Sequence, residues 1–372
     1  MVVTLFAALS SMANPRRFFG ADHEIHIGDV IIPPRCAVEV TFRTHQQRFQ
    51  LRPDKEASEL ILGCLGRAYH RYPELNLNVV SVLSNHGCFV ACPDSAYVLS
   101  SFMRDFLSTA AKRLNGHRDR DGTFWERRYR AIPILDEEAL DERFRYVLTQ
   151  GTKENLVWSA RQWPGIGSID PLLGGQPLVG RWRDRVAEGE LRRRQRRKLE
   201  RAAARGTSLQ LPKAPQVWLE YPIELVPLPH WQRLKVGQRR ARVAEMLRED
   251  DCATRMRHER DGTEPLGVRA ILATDPFDRP RQSARSPAPP CHTRSRKLRR
   301  AFRAVCRTFD EMLASGRDAV EAFLPQAGVP LDVTLPPLSH RKPMSPRRPP
   351  PTPVVCDREH PLANAIGPPG HA

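Results

Sequence analysis

An α+β fold with an antiparallel sheet is predicted by three observations. Short β-branched runs alternate with amphipathic stretches of helical spacing over residues 36–160. The order of these elements reads β-α-β-β-α-β-α. Its first six elements form the ferredoxin-like split βαβ pattern, which packs helices on one face of the sheet. Beyond residue 160 this order gives way to basic helical segments and proline-spaced stretches, so a mainly helical, basic C-terminal extension follows.

The first strand is 36–43, CAVEVTFR, which alternates in polarity. A helix spans 54–72, with Leu60, Ile61, Leu62, Leu65 and Ala68 at helical spacing between Pro53 and Pro73. The central stretch is 79–92, where two apolar runs flank Ser84-Asn85-His86-Gly87-Cys88 and read as strands over 76–84 and 87–92. The helix 94–114 is amphipathic through Leu99, Phe102, Met103 and Phe106, and Asn115-Gly116 closes it. The second half of 123–135 reads as a strand. Asp136 caps the helix 137–150, Glu137 and Glu138 suit its positive end, and Gly151 terminates it.

The rest divides by composition. Residues 1–35 read as a disordered leader; its apolar run lacks a basic start and is too short for a bilayer span. Residues 161–205 are irregular and then a basic helix, with eleven Arg or Lys against four Asp or Glu over 181–205. Residues 206–324 are a helical extension with Pro-rich linkers, 206–229 among them, and 325–372 a disordered Pro-rich tail. The net charge of +17 favours a polyanionic partner, nucleic acid before an acidic membrane surface. Eight cysteines without a repeated spacing imply no disulfide framework and fit a reducing cytoplasm.

His86 and Cys88 lie two apart, so on a strand they project from one face as a candidate metal-ligand pair. Tyr146 and Gln150 share a helical face four residues apart. A tyrosine beside a bound metal can attack phosphorus and hold a covalent intermediate. The plain alternative is a core tyrosine among Phe144, Val147 and Leu148. Phe124, Trp125, Arg127, Arg128, Tyr129 and Arg130 suit a single-strand groove in which arginines meet phosphates and aromatics stack on bases. A half-buried strand with a solvated edge explains them equally well. Arg192–Lys198 reads as a duplex-stem contact or as a solvated face.

The stretch SNHGCFV resembles the Pro-Asn-His-hydrophobe-His strand of single-tyrosine HUH transposases, in particular the REP-associated tyrosine transposase group. TFWERRYRAIPILDEEALDERFRYVLTQGTKENLV is similar to that family's ending, and VTFRTHQQRFQLRP to its opening strand and loop. The resemblance covers residues 36–160 and implies a ferredoxin-like, RRM-related sheet that cuts and rejoins single-stranded DNA at hairpins. It implies Tyr146 as the nucleophile, leaving a 5′-phosphotyrosine and a free 3′-hydroxyl. It implies His86, the position of Cys88 and Gln150 as ligands of Mg²⁺ or Mn²⁺, with Arg43, the basic-aromatic stretch and Lys153 near DNA.

Cys88 stands where the family has its second histidine, and a thiol is a poor ligand for Mg²⁺. A catalytically impaired DNA-binding remnant is therefore a rival reading. An RRM-type RNA-binding module is another, and a structural zinc site begun by His86, Cys88 and Cys92 is a third. Gly87 replaces the family's hydrophobic residue and is expected to loosen the strand. Tyr146 can meet His86 within one chain or across a homodimer. No stretch is apolar for long enough to cross a membrane.

Overall fold

The computed structural model describes residues 25–27, 29–32, 36–212, 216–280, 289–323 and 354–356. Its centre is an antiparallel sheet of β3 (Ala37–Arg43), β4 (Leu77–Val82), β5 (His86–Ala91) and β6 (Arg130–Ile134), in the spatial order β4-β5-β3-β6. That is the order of the split βαβ pattern: the first and third strands sit side by side at the centre. The register pairs Val40 with Phe89 and with Ala131, and Val80 with Phe89. Before it, β1 (Ile25–Ile27) and β2 (Val30–Ile32) form a hairpin within the stretch expected to be a disordered leader. Residues 1–24 lie outside the described residues.

Alternation sorts the strands onto two cores. Val38, Val40, Phe42, Phe89 and Ala91 face α1 (Lys55–Arg71) and α2 (Ala96–His117), where Ile61, Leu65, Phe102 and Phe106 meet them. Asp54 caps α1 by accepting from the Ala57 N–H at 2.8 Å, and Ser95 caps α2 by accepting from Val98 at 3.2 Å. Asn115-Gly116 does not close α2. The helix runs through it to His117, because Arg118 N–H still reaches the Leu114 carbonyl.

The opposite face was expected to be free of helices. Instead α3 (Glu137–Leu148) covers one end of it through Phe144, Val147 and Leu148. Val243 and Leu247 of α7 (Val236–Asp261) and the ring of Trp231 complete that core. Asp136 caps α3 as expected, accepting from Ala139 N–H at 2.8 Å. The helix breaks at Thr149, before Gly151, and restarts as α4 (Gln150–Lys153).

The extension packs tightly on this unit. After the short α5 (Ile169–Leu173), β7 (Leu178–Arg183) pairs with β8 (Gln216–Ile223), and β8 with β9 (Val354–Cys356). The stretch 206–229, read as a linker, thus contains a strand. β7 lies against α1 so closely that a Cβ on Gly180 would sit 2.2 Å from the Leu62 carbonyl oxygen; only glycine permits that approach. Val226 N–H donates to the Leu77 carbonyl at 2.7 Å. The basic helix is found as α6 (Arg185–Ala204). Beyond α7 come α8 (Val268–Ala273) and α9 (Arg296–Phe323). The remainder of the Pro-rich tail lies outside the described residues.

Candidate active site

The end of the second sheet face that α3 and α7 leave uncovered is a cleft of about 360 Å³. Thr41 and Arg43 of β3, His86 of β5 and Arg130 and Ile132 of β6 form its floor. Arg143 and Tyr146 of α3, Gln150 of α4, and Arg127 and Arg128 of the preceding loop form its walls. His86, Tyr146, Gln150 and four of the predicted arginines therefore share one opening. Tyr146 and His86 come from the same chain, so no second copy is needed to bring them together.

His86 is fixed by the turn before it. The Thr44 N–H and hydroxyl both donate to the Asn85 carbonyl, at 3.0 and 2.9 Å. The Asn85 side-chain oxygen lies 2.7 Å from His86 Nδ1, which therefore carries the proton. His86 Nε2 keeps a lone pair, and the Gln150 amide donates to it at 2.7 Å. Burial, and then the charge of Arg43, pushes the imidazole down to about 4, so it is neutral at pH 7. Gln150 Oε1 is buried and has no hydrogen-bond partner among the described residues.

These two side chains fit a hard divalent cation. Adjacent ligands of octahedral Mg²⁺ at about 2.0–2.1 Å lie about 3 Å apart. The 2.7 Å between the His86 and Gln150 atoms is close to that, and turning the Gln150 amide would present its orphaned oxygen.

Cys88 does not fit. It is 1% exposed and lies beneath the floor of the cleft. Its thiol donates to Glu39 Oε1 at 3.5 Å and sits 3.6 Å from the Thr41 hydroxyl. Burial, and then the Glu39 charge, pushes the thiol far above its ordinary value, so no thiolate is present to bind metal. Among the described residues no group of three or more His, Cys, Asp or Glu is arranged to hold a metal ion, which also leaves the zinc reading without a site.

Tyr146 is half-buried, with the Arg143 guanidinium 4.9 Å from its ring centre. Burial, and then the charge of Glu154, pushes its hydroxyl up to about 12. It packs against the edge of the α3 core but still lines the cleft, which the plain core reading did not allow.

Three predicted residues are placed elsewhere. Trp125 packs edge-on to Phe42 and Phe124, and its indole N–H donates to the Leu107 carbonyl at 2.9 Å. Tyr129 packs on the same core, beneath the Arg128 guanidinium. Lys153 pairs with the buried Asp250 of α7 at 2.9 Å. Trp125 and Tyr129 therefore face the core on the far side of the sheet, and Lys153 is held by α7. Phe89 and Phe124 are buried on that far side too, so the paired strand aromatics of an RRM are absent from the open face among the described residues.

Sequence reasoning missed Glu39, Arg143 and His292. Strand alternation puts Glu39 on the face of Thr41 and Arg43, and Arg143 precedes Tyr146 by one helical turn, so both had a local signal. Burial opposes charge on Glu39, but His292 and Arg143 outweigh it and hold the carboxyl below its usual range. His292 Nε2 lies 2.7 Å from Glu39 Oε2, a close contact without hydrogen-bond alignment. It arrives from a distant segment and had no local signal.

An α+β protein with a tyrosine and an imidazole in one arginine-rimmed cleft is thus defined. No family model matches the chain, and no curated protein matches it. Among solved structures it is similar to a REP-associated tyrosine transposase bound to a REP hairpin, at 15% identity and a TM-score of 0.32, over 41% of this chain and 90% of that one. At that level of likeness, function has to be read from the cleft's own residues.

Proposed function

We propose that the cleft binds single-stranded DNA and that Tyr146 is the nucleophile that cuts it. The observation that carries this reading is the composition of the lining. Tyr146, His86 and Gln150 open onto a space rimmed by Arg43, Arg127, Arg128, Arg130 and Arg143, with Glu39 as its one carboxylate among the described residues. Such a space attracts phosphate and disfavours anionic side chains of other proteins.

In the step, the Tyr146 hydroxyl loses its proton to solvent and its oxygen bonds to phosphorus. The P–O3′ bond breaks, and the departing 3′-oxygen takes up a proton. The products are a 5′-phosphotyrosine and a free 3′-hydroxyl. The arginines hold the phosphate and meet the charge that builds on it. His86 and Gln150 would hold Mg²⁺ or Mn²⁺, which supplies Lewis-acid polarisation of the phosphate when bound. Two neutral donors make that affinity weak.

A second reading is favoured by the buried, protonated Cys88 and the raised Tyr146 hydroxyl: a DNA binder on the same fold that has lost cleavage. One experiment separates them. The full chain is incubated with a labelled, hairpin-bearing single strand and Mn²⁺, then denatured. A covalent adduct that Tyr146→Phe abolishes supports the nuclease; binding without adduct supports the second reading. No binding sinks both.

A further inference from the structure

We infer that α9 forms the second wall of a phosphodiester track that continues the cleft, so a bound single strand leaves the cleft over the edge of β6 and along α9. This rests on the reading of the cleft as a DNA site and extends it to a segment no cleft residue comes from. A trough of about 770 Å³ adjoins the cleft and shares Arg130, Ile132 and Pro289 with it. Its far wall carries Arg300, Arg303 and Arg307.

The helix is rotated into this position by its own apolar stripe. Leu298, Phe302, Val305 and Phe309 are buried at helical spacing, and Phe302 and Val305 pack with Ile32 of β2 and Leu135 beside β6. Arg300, Arg303 and Arg307 therefore fall on the opposite, exposed side, as their burial records. A rise of about 1.5 Å per residue spreads them over roughly 10 Å. No ion pair is formed by any of them among the described residues, although carboxylates pair with many other arginines of this chain.

The helix is also anchored at its start. His292 N–H donates to the Pro133 carbonyl at 2.8 Å, and Leu135 N–H to the His292 carbonyl at 3.0 Å. Among the described residues that bridge is the only pairing on the outer edge of β6. The trough thus has one wall of strand edge and one of arginines. It suits a flexible chain of phosphates and not a folded protein partner.

The test uses the full chain and oligodeoxythymidylates of about 5 and about 12 nucleotides, lengths that fill the cleft alone or the cleft and the trough. Fluorescence anisotropy is read across salt concentrations. The wild type is expected to bind the longer strand at least about tenfold tighter. In the triple variant Arg300→Ala, Arg303→Ala, Arg307→Ala that gain falls below about threefold and the salt slope shrinks by about 2, at roughly 0.7 per lost phosphate contact. The corresponding triple Lys variant keeps most of both, which separates charge from any effect on folding. A triple Ala variant that retains the length-dependent gain overturns the inference. So does a duplex of the longer length that binds as well as the single strand. Failure of the wild type to bind the short strand instead overturns the cleft reading beneath it.

Discussion

The Gln150 amide points its N–H at the lone pair of His86 Nε2, 2.7 Å away, and leaves its own oxygen buried without a partner. Each half of that relationship has a cost that a substitution can reveal. Gln150→Leu removes the donor and leaves a buried imidazole nitrogen unsatisfied, so unfolding stability should drop by about 1–3 kcal/mol, measured by urea titration. Gln150→Glu supplies an anionic oxygen beside the imidazole. Mn²⁺ should then raise its melting temperature by more than it raises that of the wild type.

The Tyr146 hydroxyl is held up to about 12, with an ordinary value of 10.0. A raised value means that the reactive phenolate is scarce and grows as pH rises. Adduct yield per unit time should therefore climb about tenfold per pH unit between pH 7 and 9, without a plateau. A flat profile across that range would show that phenolate formation does not limit the step.

Cys88 sits under the cleft with its thiol on Glu39. Cys88→His puts a second imidazole on the His86 side of the sheet, where Glu39 can accept the N–H of the ring nitrogen that does not face the metal. Metal-dependent adduct formation should rise at least about tenfold, the scale on which shell changes act on metal sites. No gain in metal response would mean that the residue at position 88 is not what limits the site.

Gly87 was expected to loosen its strand, but it is demanded by a neighbour. A Cβ there would lie 2.2 Å from the end of the Phe42 ring. Gly87→Val should destabilise by at least about 1–3 kcal/mol through overpacking. Pairing it with Phe42→Leu should recover part of that loss in a double-mutant cycle.

The exposed rim arginines act through charge. Arg127→Ala with Arg128→Ala should weaken single-strand binding and lower the salt slope by about 1.4, at roughly 0.7 for each phosphate released. Trp125→Ala should instead act on stability, because its ring and N–H serve the core.

Much of the fold was legible because its signals are local. Alternation along 36–43 and 79–92, helical spacing along 54–72 and the cap at Asp136 each depend on residues a few positions apart. The same periodicities placed His86 on one sheet face and set Tyr146 and Gln150 a turn apart, so three of the cleft's residues could be named from the chain alone. Trp125, Tyr129 and Lys153 lie away from the cleft, which their residue types could not reveal because they suit a DNA contact and an internal one equally. Which of the two they serve depends on what faces them: Leu107 and Phe42 for Trp125, Asp250 for Lys153.

What the sequence by itself determined was the order of strands and helices and which side chains share a face within each element; that α3 brings the phenol to the sheet face of the imidazole was settled by packing. Only the tertiary structure decided that Glu39 and His292 meet, that Cys88 is sealed under the floor, and that α9 stands beside β6. The physical reason is distance along the chain. Periodicity reports which face a residue takes within its own element, whereas burial, pairing and titration depend on the elements packed opposite, which no local pattern encodes.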